Sequence, residues 1–293
     1  MVKIQSASQA GAHYVTESPS GWRSASNPVS IRSGSRFSSS LQLFAQAAGA
    51  LAILVGCLVL VGWLLDIAAL KGILPGLATM KPNAAIAFLL VGLSLWLLLR
   101  EQAARWKRNV ARGCALLVAL LGLLTLSEYL FSWDLGIDQL LFPEAVRADS
   151  TSLPGRMASA TALNFVVLGL ALLFLDVKTR RGHWPAQFLA LLGVLIGFLA
   201  LIGYAYGVQA LYAIAFYTSM ALHTAATLTV LAVGVLLARP DRGLMTLVTS
   251  DGVGGMLVRR RLPVVLGVPL LLGWLRLQGQ RAGLYGTELD ALH

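Results

Sequence analysis

Charge is what this sequence has least of. Charged residues fill 12% of its 293 positions, half of the ~25% found in an ordinary soluble domain. Hydrophobic residues make up 57%, and mean hydropathy is +0.74. That balance excludes both a water-soluble enzyme and a disordered chain. Cysteine is scarce as well: Cys57 and Cys114 each sit inside an apolar run, which offers neither a disulfide framework nor a zinc-ligand spacing. Acidic residues number 13 against 23 basic ones, a net charge of +10. The basic excess forms no nucleic-acid patch; it is spread over an N-terminal tail and short loops, the distribution of an inner-membrane protein. There is no Ser-His-Asp set, no His-Glu-x-x-His and no pair of catalytic carboxylates, so no enzyme activity is expected of the chain by itself. A bilayer, which takes about 20 apolar residues per helical span, accounts for the composition.

Residues 1–40 differ from the rest. Serine recurs up to Ser38-Ser39-Ser40, with Pro19, Pro28, Lys3, Arg23, Arg32 and Arg36 between. Such a segment cannot bury enough apolar surface to offset its ordering entropy, and a disordered cytoplasmic tail is expected. Apolar runs of spanning length follow near 42–65, 82–99, 114–133, 157–175, 187–206 and 219–238, with a shorter seventh near 262–277 that contains Pro263 and Pro269. Runs this long and rich in Leu, Ala and Gly predict helices rather than barrel strands. The expected fold is an all-α membrane protein of about seven helices. Arg100, Arg105, Lys107, Arg108 and Arg112, then Lys178, Arg180 and Arg181, then Arg239, Arg242 and Arg259-Arg260-Arg261 fall in alternate loops. Those loops and the N-terminus are expected to be cytoplasmic. Asp134, Asp138, Glu144 and Asp149 fall in an opposite, outer loop.

An internal repeat underlies the runs. The second opens Met80-Lys81-Pro82-Asn83-Ala84-Ala85, the fourth Met157-Ala158-Ser159-Ala160-Thr161-Ala162, and the sixth Met220-Ala221-Leu222-His223-Thr224-Ala225. The shared pattern is Met, a small residue at +4, Ala at +5, a large apolar residue at +8 (Phe88, Phe165, Leu228) and a small one at +12 (Gly92, Gly169, Ala232). Small residues seven apart line one helix face and let helices approach closely. The unit is a helix pair, and all copies share one orientation. The stretch 283–293 resembles the approach to the sixth run, so a fourth unit without its second helix, an eighth, is expected.

Several stretches together resemble one group: Met80-Lys81-Pro82-Asn83, Pro154-Gly155-Arg156-Met157 with Ala162-Leu163-Asn164-Phe165, Met220 to Ala225, Ala238-Arg239-Pro240-Asp241-Arg242-Gly243, Thr249-Ser250-Asp251-Gly252, and Gly273-Trp274-Leu275-Arg276 with Ala282-Gly283-Leu284-Tyr285-Gly286-Thr287-Glu288. Over about 41–290 the chain resembles the N-terminal membrane sensor region of bacterial PAS-containing histidine kinases. The resemblance implies an input module in the bacterial inner membrane, homodimeric, whose catalytic domains lie in other parts of the parent protein. It assigns no stimulus. The alternatives are a small transporter or permease and a membrane assembly subunit.

Candidate sensing residues lie toward the outer ends. Glu128 is an ionisable group at membrane depth, where such groups usually face a bundle interior, and its expected partner is Arg276, His223 or Lys81. Asn83, Asn164, Thr161 and Thr224 would hydrogen-bond a ligand or, by default, neighbouring helices. Met80, Met157 and Met220 with His223 offer thioether and imidazole ligands suited to copper(I); the preferred reading is that the methionines are adaptable apolar packing. No other cofactor is expected. Trp63, Tyr129, Trp133, Tyr204, Tyr206, Tyr212 and Tyr217 read as an interfacial aromatic belt. Asp251-Gly252-Val253-Gly254-Gly255 lacks the strand, turn and helix that a phosphate cradle needs.

Overall fold

The computed structural model describes residues 28–72, 78–100, 104–139, 141, 155–206, 220–250, 252 and, between 254 and 279, positions 254–257, 259–261, 264, 268, 272, 274, 275, 278 and 279. No strand occurs among the described residues. The helices are α1 (Pro28–Leu64), the single turn α2 (Ala68–Lys71), α3 (Pro82–Leu98), α4 (Arg105–Phe131), α5 (Ser159–Leu173), α6 (Pro185–Tyr206), α7 (Leu222–Leu237) and the short α8 (Leu244–Thr249). Three are long and apolar enough to cross a membrane, over Ser38–Leu64, Arg105–Phe131 and Pro185–Tyr206, while α3, α5 and α7 are shorter apolar helices. Leucine and alanine favour helix throughout. Proline begins α1, α3 and α6, where its missing N–H costs nothing and its φ is already helical. Helix α1 therefore starts at Pro28, ahead of the expected start near 41, and corrects the reading of 28–40 as part of a disordered tail. Residues 1–27 lie outside the described residues.

The six main helices form three antiparallel hairpins, α1–α3, α4–α5 and α6–α7. Hairpins meet through α3 against α4, α5 against α6, and α7 against α1, so the ring closes on itself. Burial separates an inner from an outer set. Eleven of the 17 residues of α3 and 11 of the 15 of α5 are buried, against 8 of 27 in α4 and 8 of 22 in α6. Helices α3, α5 and α7 form the inner triangle: Phe88 and Phe165 meet edge-to-face at 5.1 Å, and Leu228 is fully buried as they are. The outer helices turn Leu54, Leu117, Leu123, Phe188 and Leu195 outward, each more than half exposed. An apolar periphery of this kind is what a membrane-embedded bundle presents to lipid. Of the expected seventh run, the described positions Val264, Val268, Leu272, Trp274 and Leu275 are helical and exposed.

Each hairpin repeats one packing scheme. A Cβ on Gly56 would lie 2.7 Å from the Ala85 carbonyl oxygen, and one on Gly122 would lie 2.5 Å from that of Ala162. On Gly197 it would lie 2.5 Å from the Thr229 hydroxyl and 3.4 Å from the Ala225 oxygen. Ala85, Ala162 and Ala225 are the +5 residues of the repeat. Seven residues beyond each glycine stands an aromatic donor. Trp63 Nε1 donates to the Met80 carbonyl at 2.9 Å, Tyr129 Oη to that of Met157 at 3.0 Å, and Tyr204 Oη to that of Met220. Each clasp caps the close glycine contact and fixes the register of its hairpin. Interhelical hydrogen bonds in membranes average ~0.6 kcal/mol, so the clasps select the register, and packing supplies most of the cohesion.

At the opposite end of the bundle Arg239 joins all three hairpins. Its Nε donates to Asp176 Oδ1 at 3.0 Å, its Nη2 to the Leu98 carbonyl at 2.9 Å and its Nη1 to that of Ala238 at 3.2 Å. These acceptors lie at the C-terminal ends of α3, α5 and α7, where a cation is favoured by the helix dipoles. Arg242 Nη1 also reaches Asp176 Oδ1 at 2.9 Å. Gln187 clamps the next turn, donating to the Arg242 carbonyl and accepting from Leu244 N, both at 2.7 Å. Arg239 is only 6% exposed, so beyond the charge asymmetry expected of it, it is a structural tie.

Gly122→Ala is expected to destabilise the bundle by roughly 1–3 kcal/mol through overpacking. Gly113→Ala, which has nothing within 4 Å of its Cβ position, should be neutral or gain up to ~1 kcal/mol of helix propensity. Melting of the two variants in detergent checks the contrast. The Asp176 carboxyl sits below its ordinary value of 3.8: burial would raise it, but the Arg239 hydrogen bond and the charges of Arg239, Arg242 and Arg108 outweigh burial. A carboxylate depressed on folding contributes stability that is complete above its unfolded value and lost as pH falls through the folded one. The stabilisation that Asp176 contributes, read as the gap in melting temperature between wild type and Asp176→Asn, should hold steady from neutral pH down to about 5 and then close as Asp176 protonates. Asp176→Asn should melt lower at pH 7 and show a smaller drop on acidification.

Candidate functional site

Among the described residues, the methionine end of the bundle carries the densest group of buried charge. Helix α4 ends at Ser132 in the left-handed conformation, φ 52°, which folds the chain back over its last turn. Leu135 N then donates to Glu128 Oε1 at 3.0 Å. Gly136, at φ 68°, supports a second bend by donating its N–H to Asp134 Oδ1 at 3.0 Å. The following 3-10 turn, Ile137–Gln139, brings in Asp138. Asp138 Oδ1 accepts from Asn83 Nδ2 at 2.7 Å, and Oδ2 accepts from Arg156 Nε at 2.9 Å. Four elements are thus pinned together: the first turn of α3, the last turn of α4, the 3-10 turn and the lead into α5.

Arg156 is the hub. Its Nε lies 3.4 Å from Glu128 Oε2 and its Nη2 3.6 Å from Asp134 Oδ1. The guanidinium stands over the Tyr129 ring, 5.6 Å from the centroid, so the ring that clasps Met157 also carries the arginine. Glu128 is fully buried, Asp138 4% exposed, Asn83 5% and Arg156 8%. Burial opposes the Arg156 charge, but the hydrogen bond to Asp138 and the charges of Glu128 and Asp138 outweigh it and raise its proton affinity. Two buried carboxylates flank one Nε–H, which donates to Asp138, and Glu128 Oε2 has no hydrogen bond. Chemically this is an electrostatic lock between hairpins one and two: whatever removes Asp138 or competes for the guanidinium breaks the bonds that join them.

Of the residues singled out in the sequence, Glu128 and Asn83 belong to this cluster. Among the described residues the partner of Glu128 is Arg156, which corrects the expectation of His223 or Lys81. Arg276 lies outside the described residues. Lys81 is buried at the N-cap of α3. His223 lies in the first turn of α7, with a buried Nε2 that has no hydrogen-bond partner, and it makes no ion pair with Glu128. Asn164 donates to the Gly193 carbonyl at 3.0 Å and ties α5 to α6. Thr161 and Thr224 are each 2% exposed in the inner helices and make none of the cluster's bonds. Met80, Met157 and Met220 are buried to 1% exposure or less, one per hairpin, and their carbonyls receive the aromatic clasps. Among the described residues no group of three His, Cys, Asp or Glu is placed to hold a metal ion.

Sequence reasoning passed over Arg156 and Asp138. The available signal was an arginine directly before the repeated methionine, at a position that is uncharged in the second and sixth runs. It also read Trp63, Tyr129 and Tyr204 as belt residues, although each follows a repeat glycine by seven positions. No protein-family model matches this sequence, and no curated protein or solved structure shows significant similarity to it.

Arg156→Gln leaves two buried carboxylates unpaired and should cost about 3–5 kcal/mol. Adding Glu128→Gln and Asp138→Asn should recover more than half of that loss. Detergent melts of the single and triple variants give the comparison, and equal losses would mean that Arg156 acts through packing alone.

Proposed function

We propose that this chain is the membrane-embedded sensory input module of a bacterial signalling protein of the histidine-kinase type. In this reading it is a multi-pass protein of the inner membrane with its N-terminus and arginine end cytoplasmic and its methionine end outside. The seventh run crosses as well. The observation that carries the reading is the division of polar groups within a closed apolar bundle. One buried charge cluster holds the methionine end and another the arginine end. Between them lie Phe88, Val91, Leu95, Phe165, Leu168, Leu228 and Leu231, all fully buried. Such a bundle suits the transmission of a packing change from one end to the other better than the passage of a solute, because a solute path needs polar lining through the midplane. A stimulus at the Glu128–Arg156–Asp138 lock would shift a two-state equilibrium of hairpin packing, and the helix ends tied by Arg239 would report it.

Coupling between the ends is the test. Hydrogen exchange on the full chain in bilayers should show that Glu128→Gln raises exchange at 174–176 and 238–242 by roughly tenfold, within the 5–150-fold range of ordinary allosteric couplings. The intervening helices should keep their protection. Exchange altered only around residues 128–138 would sink the signalling reading, and solute flux through liposomes carrying the pure protein would replace it with transport. Single-cysteine labelling at 107 and 134 from either side of the membrane checks the orientation.

A further inference from the structure

A groove of about 430 Å³ opens on the flank of the first hairpin, lined by Ala50, Ile53, Leu54 and Cys57 of α1 and by Leu93 and Trp96 of α3. The threefold repeat shows what makes it. Counted from the equivalent glycines Gly56, Gly122 and Gly197, Ala50 and Cys57 correspond to Leu116 and Leu123 on α4 and to Leu191 and Phe198 on α6. Two hairpins carry large side chains at both positions, and Leu116, Leu123 and Leu191 stand about half exposed on the bundle flank. The first hairpin carries two small ones. Counted from the repeat methionines, Trp96 stands where α5 and α7 have Leu173 and Leu236, so the departure from the repeat both empties the slot and walls one end of it. Just past Trp96 the chain leaves α3 through exposed Arg100. Arg105, Lys107, Arg108 and Arg112 follow on α4, against Glu101 alone.

We propose that this groove holds one acyl chain of an anionic phospholipid, with the lipid phosphate at Arg100. The inference rests on the membrane placement argued above. Every lining side chain is apolar apart from the Cys57 thiol. An indole at the basic end stands where interfacial tryptophans meet headgroups, and the charge beyond it is of the sign that attracts anionic lipid. A second copy of this chain would fit less well, because a parallel pair meeting on this flank would bring two basic 100–112 segments together.

Native mass spectrometry of the full chain, purified from bilayers of phosphatidylglycerol and phosphatidylcholine, reads the outcome. The wild type should retain one phosphatidylglycerol. Ala50→Leu with Cys57→Leu, the pair α4 already carries, should retain roughly tenfold less, in keeping with the loss of a buried apolar contact, without lowering the melting temperature in detergent. Arg100→Gln should keep a bound lipid but lose the preference for phosphatidylglycerol. Equal retention by wild type and filled variant would overturn the proposal. So would efficient disulfide cross-linking between the exposed Cys57 residues of two copies, which would give the groove to a dimer; buried Cys114 does not compete in that assay. Recovery of the chain in the aqueous phase after alkaline washing would strike down the membrane placement itself, whereas membrane-bound protein that retains no lipid strikes down only the groove.

Discussion

The backbone of α4 at Gly122 runs so close to the Ala162 carbonyl of α5 that no side chain fits between them. This close approach, repeated at Gly56 against Ala85, is the constraint on which the other features depend. In an apolar medium helices gain little by hiding leucine from lipid, since lipid is equally apolar. Association must come from contact, and contact is greatest where two backbones touch. Small residues at seven-residue spacing keep that touching face straight along each hairpin. The aromatic clasps sit at the end of the same face, one further heptad on, where each ring reaches the carbonyl just ahead of the partner helix. Register and packing therefore have one origin.

The inner helices are also short. At ~1.5 Å per residue the 15 to 17 residues of α3, α5 and α7 span ~25 Å, less than the ~30 Å of a hydrocarbon core. Their ends fall inside the length of the surrounding outer helices, where unpaired backbone groups would be costly. The two charge clusters answer that problem in opposite ways. At the C-terminal ends Arg239 supplies donors to carbonyls and to Asp176. At the N-terminal ends Asp138 accepts from Asn83 and Arg156, and the methionine carbonyls just ahead of the helices are taken by indole and phenol groups. Each cluster closes the ends of the inner triangle and simultaneously ties separate hairpins together.

The repeat was legible because it is local: methionine, alanine and glycine at fixed offsets within one helix can be read from a string. Helix identity was legible for the same reason, through length and composition. The boundaries moved where polar sequence continues a helix, as at Pro28 and Arg105, because hydropathy reports apolarity and not helicity. Closure of the ring by α1 against α7 was not legible, since it depends on the angle between hairpins. The stretch 280–293, where the expected fourth unit would continue, lies outside the described residues. Glu128 was found because a carboxylate in an apolar run is anomalous by itself. Arg156 was missed because it lies in a polar stretch and becomes anomalous only when burial is known.

The frame common to three hairpins makes its own exceptions informative. Where all three copies agree, at the glycine contacts and the clasps, the chemistry is that of holding helices together, and any one copy explains the other two. Where they differ, packing alone does not account for the residue. Arg156 precedes Met157, whereas Ser219 precedes Met220 and Thr79 precedes Met80. Arg239 occupies the position that is Asp176 in the second hairpin and Leu99 in the first. A bundle required only to be stable could have closed all three positions with the same neutral residues at less risk, since a buried ion pair is often no more stabilising than the apolar side chains that could replace it. Charges that differ from copy to copy of a threefold frame break its symmetry at both ends, and they make the joint between the first two hairpins unlike the joints on either side.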